Sequence, residues 1–241
     1  MPRTSFKPSL HGFHFPNSFS SEEILAELQS VPRWLHLDDV WGLCGGMCFA
    51  ALDRFFRQES MPSLTAPPRG GTILFSELLS RQIASVDSVG WSKILDYQIR
   101  PDEGRWYEFQ HSLGHLSESL EWPSIRHKID SGIPTTVCLI RSPRWNLARI
   151  GNNHQVVVYG YETDSLKVAL NIYDPNFPDR DDVVLGFTLG QHDSRLDAFQ
   201  TPGPDPRGFL RIPYDGIETA IQVTATPEES EVFEWIWTIF S

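Results

Sequence analysis

Two cysteines, Cys44 and Cys48, stand four residues apart in WGLCGGMCFAALDRFF (residues 41–56), and a third, Cys138, stands alone. A thiol can serve as a nucleophile, a metal ligand, half of a disulfide or a small buried hydrophobe, and its position separates these uses. Structural metal binding asks for four Cys or His groups in compact pairs. The eight histidines form no closely spaced pair beside a second cysteine pair, and His11 and His14 fall on a loop-like stretch far off in the sequence. No metal and no other cofactor is therefore expected. A Cys44–Cys48 disulfide would sit within one helical turn, at the upper end of the Cα separation such bonds allow. Cys48 and Cys138 read as core. Cys44 differs because it heads an apolar helical run, where unpaired N–H groups and the helix dipole favour a thiolate. Gly45 and Gly46 follow at once, so the backbone beside the sulfur is bare and a substrate can approach its N–H groups. Such a combination suits a thiol nucleophile with an adjoining oxyanion site.

A nucleophile of this kind needs a base. His154 opens the β-forming run HQVVVYGYE, and Asp174 closes the next, LKVALNIYD. If the two runs pair as a hairpin about Thr163, Asp164 and Ser165, the start of one lies beside the end of the other. Alternation then permits both side chains to face one way. Asp174 would orient the imidazole and stabilise its protonated form. The tripeptide Asp174-Pro175-Asn176 is equally a plain turn signature, and Asn176 is the alternative third member.

A cysteine heading a buried helix, a histidine opening a strand and an acid closing the following one resembles the papain-like cysteine peptidase superfamily. The succession IDSGIPTTVCLI, NHQVVVYGYE and IYDPN looks particularly like its bacterial branches, such as bacteriocin-leader peptidases with their DP after the second strand. The resemblance spans about residues 35–180. It implies a helical half carrying the cysteine, a sheet half carrying the base and a site in the cleft, with Cys44 as nucleophile, His154 as general base and Asp174 as orienting acid. Members usually carry a glutamine upstream of the nucleophile whose amide helps hold the oxyanion. Here that place is taken by Asp38, whose carboxylate cannot donate unless protonated. Asn17, in the strap-like FPNSF, and Gln155 are the amides that would fill the gap. The tryptophan that often follows the nucleophile is replaced by Gly45, while Trp41 stands just before it and would suit an apolar or aromatic acyl group.

The elements that must position these residues come as helices first and strands second. SSEEILAEL starts a helix with Ser20 as cap and Glu23 three residues on. The run from Cys44 to about Arg57 is apolar around most of its circumference, so its helix should be central and buried. TILFSELLSRQIASVDS, GRWYEFQHSL and WPSIRHKIDSG keep helical spacing, and Gly132 with Pro134 ends the last of them. PTTVCLIR, HQVVVYGYE, LKVALNIYD, DDVVLGFTL, TAIQVTAT and EVFEWIWTIF are β-rich runs separated by turns. TPGPDPRG (201–208) is a loop long enough to border a site, and a plain surface loop explains it as well. This order predicts an α+β fold, with the buried helix of a mainly helical half (residues 1–133) packed on a mainly antiparallel sheet (residues 134–241). Taken with the resemblance, residues 1–241 form one papain-like domain.

The 241-residue chain carries a formal charge of −11, from 31 acidic and 20 basic residues. Its field repels phosphate backbones and anionic membranes, so neither nucleic acid nor a membrane is expected as a partner. No basic start leads into an apolar run, and nowhere do about 18 apolar residues follow one another; a cytoplasmic location is expected. The partner implied is a peptide, amide or acyl substrate. The expected function is a thiol-dependent hydrolase or acyltransferase acting on an amide or (thio)ester carbonyl through an acyl-enzyme. An inactive papain-like binding or structural protein, and a Cys44/Cys48 redox switch, stand as alternatives.

Overall fold

The computed structural model describes residues 1–27, 40–104, 111–190 and 194–214. The first twenty residues form a strap held by its phenylalanines. Phe6, Phe13, Phe15 and Phe19 are all buried in one cluster, around a single helical turn, α1 (Pro8–His11). Burying each such ring is worth roughly 1.5–3 kcal/mol, which is why a stretch short of regular structure stays fixed. Backbone bonds tie the strap to the sheet, from Thr4 N–H to the Tyr159 carbonyl and from Asn17 N–H to the Pro175 carbonyl. Its end, β1 (Phe19–Ser20), leads into α2 (Ser21–Glu27) and pairs antiparallel with β2 (Val40–Trp41).

Helix α3 (Cys44–Arg57) begins and ends where the apolar run does, and its first ten residues are all buried. It lies against α4 (Ile73–Asp87), which Thr72 caps by accepting from the Phe75 N–H. The two helices touch through glycine: a Cβ on Gly46 would come within 2.0 Å of the Leu78 carbonyl oxygen, and one on Gly45 within 2.2 Å of Ser85 Oγ. The glycines after Cys44 are therefore helix-packing surface, correcting their reading as clearance for a substrate. Across the same contact, Asp53 of α3 is paired with Arg81 of α4 at 2.8 Å, both buried.

A nine-residue helix, α5 (Trp91–Ile99), was not anticipated, being short and bounded by Gly90 and Pro101. A single turn, α6 (Leu113–Leu116), passes through a π-helical turn (Ser117–Glu121) into α7 (Trp122–Asp130). The chain then leaves helix through Gly132, whose φ of +76° suits glycine. Part of GRWYEFQHSL, all of TAIQVTAT and all of EVFEWIWTIF lie outside the described residues.

The strands are β3 (Thr135–Ile140), β4 (His154–Asp164), β5 (Lys167–Tyr173), β6 (Val184–Thr188), β7 (Ala198–Thr201) and β8 (Gly208–Ile212). They make one antiparallel sheet in the order β7-β6-β5-β4-β3-β8. The protein is thus mixed α+β, as the order of patterns predicted. Edge strands β7 and β8 went unread because they flank the proline-rich 201–208 loop and are too short to show a period. Helices also cover both faces. Val157 and Tyr173 face α3 and α4 with the strap; Val156, Val158 and Ile172 face Trp122, Ile125 and Ile129 of α7. Strand β4 is apolar on both sides because both sides are buried.

One irregularity in the β4–β5 hairpin decides what its end presents. The turn pairs Asp164 with Lys167, and the register shifts by one between Val158 and Gly160, so that Val157 pairs with Tyr173. An unbroken ladder would have set Val157 opposite Asp174 and turned His154 to the other face. With the extra residue, Asp174 falls opposite Val156, two residues from His154 and on the same face.

Candidate active site

Cys44 is the first residue of α3, and this helix start abuts the beginning of β4. The Gln155 N–H donates to Cys44 Sγ at 3.3 Å. One residue earlier, His154 forms a side-chain hydrogen bond with the same sulfur. The ring Nε2 lies 2.6 Å from Asp174 Oδ1, which leaves Nδ1 for the thiol. Asp174 follows β5 directly, and its second oxygen, Oδ2, accepts from Gln200 Nε2 at 2.6 Å. The Asn176 N–H donates to Asp174 Oδ1 at 2.8 Å. The DPN tripeptide is therefore a turn, and its aspartate lies against His154. The Asn176 amide nitrogen stands 3.4 Å from His154 Nε2, beside the carboxylate and not in its place. All three side chains of the Cys–His–Asp chain are buried.

Burial and pairing oppose each other at each of these groups. Burial pushes the Cys44 thiol up; the bond and charge of His154, with the N–H groups of Gln155 and Gly45, more than offset it and hold the thiol below its ordinary value. Burial pulls His154 down, but the Asp174 charge and hydrogen bond, and then Cys44, raise it from 6.5 to about 9. Burial likewise pushes Asp174 up, and His154, Asn176 and Gln200 bring it below the usual carboxylate value. These opposing influences favour a thiolate beside an imidazolium beside a carboxylate. The other two cysteines are different. Cys48, one turn deeper, donates to the Gln155 carbonyl at 3.4 Å, and burial raises both Cys48 and Cys138 above the ordinary thiol value. All three cysteines are free.

Beside the thiol lies a cavity of about 200 Å³ whose wall includes Asn17, Gly42, Cys44, Arg141, His154 and Asn176. Asn17 arrives there on the strap, because the β1–β2 ladder ties the strap to the segment leading into Cys44. Its amide packs on Gly42, where a Cβ would come within 2.3 Å of Asn17 Nδ2. That same nitrogen donates to Asn176 Oδ1 at 3.2 Å. Gln155 is brought to Cys44 only through its backbone. Its side chain turns behind α3 to donate to Ser85 Oγ at 3.1 Å and does not border the cavity, because alternation sends it to the face opposite His154. The sequence expectation of a Gln155 amide at the oxyanion is corrected accordingly. Gly45 keeps an N–H on the sulfur but is covered by Ser85 and Gln155, so substrate contact through its open side is corrected too. Trp41 pairs with Phe19 through its backbone; its side chain, like Asp38, lies outside the described residues.

Two residues near the site escaped the sequence reading. Gln200, on β7, bonds the back of Asp174, and Arg141, just after β3, donates from Nη2 to Gln200 Oε1 at 2.5 Å. That contact fixes which end of the Gln200 amide faces the carboxylate. Nothing local marks either residue, because each acts across strands far apart in sequence. The 201–208 loop does not line the cavity; it holds Gln200 through the Pro202 carbonyl and, on its N–H, through Asp205. Among the described residues no three His, Cys, Asp or Glu side chains gather as a metal site would need, and no helix is long and apolar enough to cross a membrane. No protein-family model, curated protein or solved structure matches this chain.

Proposed function

We propose that this chain is a thiol enzyme with a papain-like arrangement, attacking an amide or (thio)ester carbonyl through Cys44, with His154 as acid and base and Asp174 orienting it. The observation that carries the reading is the continuous, buried chain Cys44–His154–Asp174, whose contacts favour a proton on the ring and the charge on sulfur. The Cys44 thiolate adds to the carbonyl carbon, and the oxygen takes up the electron pair. Among the first N–H groups of α3, that of Gly46 is engaged by Gln82 Oε1 and that of Gly45 by the sulfur. The N–H of Cys44 and the amide of Asn17 are the donors on which the oxyanion would rest. As the tetrahedral adduct collapses, the imidazolium gives its proton to the leaving nitrogen, oxygen or sulfur, and an acyl-enzyme forms on Cys44. Neutral His154 then deprotonates the acceptor, and the thiolate leaves. Water as acceptor makes a hydrolase; an amine or alcohol makes an acyltransferase.

Alkylation tests the first half of this scheme and an acyl probe the second. Iodoacetamide at pH 6 should modify Cys44 faster than Cys48, Cys138 or free glutathione, and an activated thioester should leave an acyl group on Cys44, located by peptide mass spectrometry. Cys44→Ser should lose both modifications at that position. Equal labelling of the three cysteines would refute the assignment of a nucleophile.

A further inference from the structure

On the reading above, we propose that the cavity docks a carboxylate of the substrate on Arg141, so that the carbonyl attacked by Cys44 lies beside a negative charge. The wall of the cavity carries this. Arg141 borders it together with Cys44 and His154, and a guanidinium offers five N–H donors. Nη2 donates to Gln200, Nε is enclosed in the protein, Nη1 meets no acceptor among the described residues, and Arg141 forms no ion pair among them. Arg207, the next arginine along this edge, is by contrast fully engaged with Asp102 and three carbonyls. The charges of Asp174, Cys44 and Asp205 act on Arg141 from a distance, but no carboxylate oxygen among the described residues meets it directly, and a ligand carboxylate would complete that contact. Asp174, the nearest buried acid, does not serve, since its oxygens are taken by His154, Asn176 and Gln200.

The rest of the wall points the same way. Besides Gly42 and Gly151 it presents Asn17, Asn152, Asn153 and Asn176, and no apolar side chain. An alkyl or aromatic acyl group would find nothing to bury against there, whereas a carboxylate would find the Arg141 cation and the amides of Asn17 and Asn176. At about 200 Å³, with water occupying about 30 Å³, the space takes one residue-sized group. The chain's charge of −11 repels anions at long range, so capture of a carboxylate falls to this local cation.

Two alkylating reagents that differ by one group test the idea. In both, the Cys44 sulfur bonds to carbon as iodide leaves, but iodoacetate carries a carboxylate where iodoacetamide carries an amide. The ratio of the two rates at Cys44, relative to the same ratio for glutathione, should favour iodoacetate, and Arg141→Gln should lower it by roughly tenfold or more, the scale of a charge-assisted hydrogen bond. Arg141→Lys should keep much of the preference. If Arg141 served only to hold Gln200, its loss would slow both reagents alike and leave the ratio unchanged, which would overturn the proposal. A second arm needs no variant. N-acetylglycine, with a terminal carboxylate, and N-acetylaspartic acid α-amide, with a side-chain carboxylate, should protect wild-type Cys44 from iodoacetamide, and neutral N-acetylglycinamide should not. The better protector identifies the source of the carboxylate. Equal protection by the neutral compound, or none by either acid, would also overturn the proposal. Slow labelling of Cys44 by iodoacetamide itself would instead remove the nucleophile, a failure distinct from a lost preference.

Discussion

Replacing Asp174 by asparagine removes a charge from the buried Cys44–His154–Asp174 chain while keeping its shape. In the native protein burial lowers the affinity of His154 for its proton, yet Asp174 and Cys44 together raise its pKa from 6.5 to about 9. With a tenfold change in proton affinity worth about 1.4 kcal/mol, this is about 3 kcal/mol in favour of the protonated ring. Most of the upward push comes from the Asp174 charge and hydrogen bond, and in Asp174→Asn burial is opposed by Cys44 alone. The ring then gives its proton to the sulfur, and burial, until now outweighed, holds the thiol neutral. A loss of 2–3 kcal/mol corresponds to about a hundredfold less thiolate at neutral pH. Iodoacetamide labelling of Cys44, followed by peptide mass spectrometry from pH 5 to 10, reads this directly. Wild type should begin to label at a lower pH than an ordinary thiol. The variant should be about a hundredfold slower at pH 7 and gain on wild type as its thiol ionises unaided. Turnover in the wild type depends on the protonated ring to release the leaving group, so it should fall as pH rises through about 9. Equal labelling of the two proteins at pH 7 would refute the argument that Asp174 sets the charge on sulfur.

Asn17→Ala should lower acyl turnover by about 10²- to 10³-fold, as loss of an oxyanion donor does, with iodoacetamide labelling unchanged because alkylation develops no oxyanion; parallel loss of both would assign Asn17 to positioning instead. Gly46→Ala drives a methyl group toward the Leu78 carbonyl, 2.0 Å from the Cβ position, and should lower stability to urea by about 1–3 kcal/mol as overpacking does; an unchanged midpoint would contradict the close α3–α4 contact. Asp53→Ala removes the carboxylate that Arg81 meets at 2.8 Å and that the Tyr214 hydroxyl donates to at 2.5 Å. It should cost about 3 kcal/mol in the same urea titration, the scale for breaking a buried ion pair, and Asp53→Asn, which can still accept from Tyr214, should lose less.

Cys44 at a helix start was legible in the sequence because an apolar run of period 3.6 has to begin somewhere, and the glycines around it mark where. The two strands that bear His154 and Asp174 were legible for the same kind of reason, as short β-branched runs joined by turn residues, and the DPN turn announced itself through its own side chains. These are properties of neighbours along the chain. What the tertiary structure decided depends on residues that are neighbours only in space. The one-residue bulge near Gly160 puts His154 and Asp174 on one face, and the alternation that permitted this could equally have set them apart. The strap delivers Asn17 from far upstream, α4 turns the glycines after Cys44 into a packing surface, and Gln200 and Arg141 reach the site from strands that lie apart in the sequence. Local periodicity records which face of an element is apolar; register, burial of charge and the choice of hydrogen-bond partner are set only when distant segments meet.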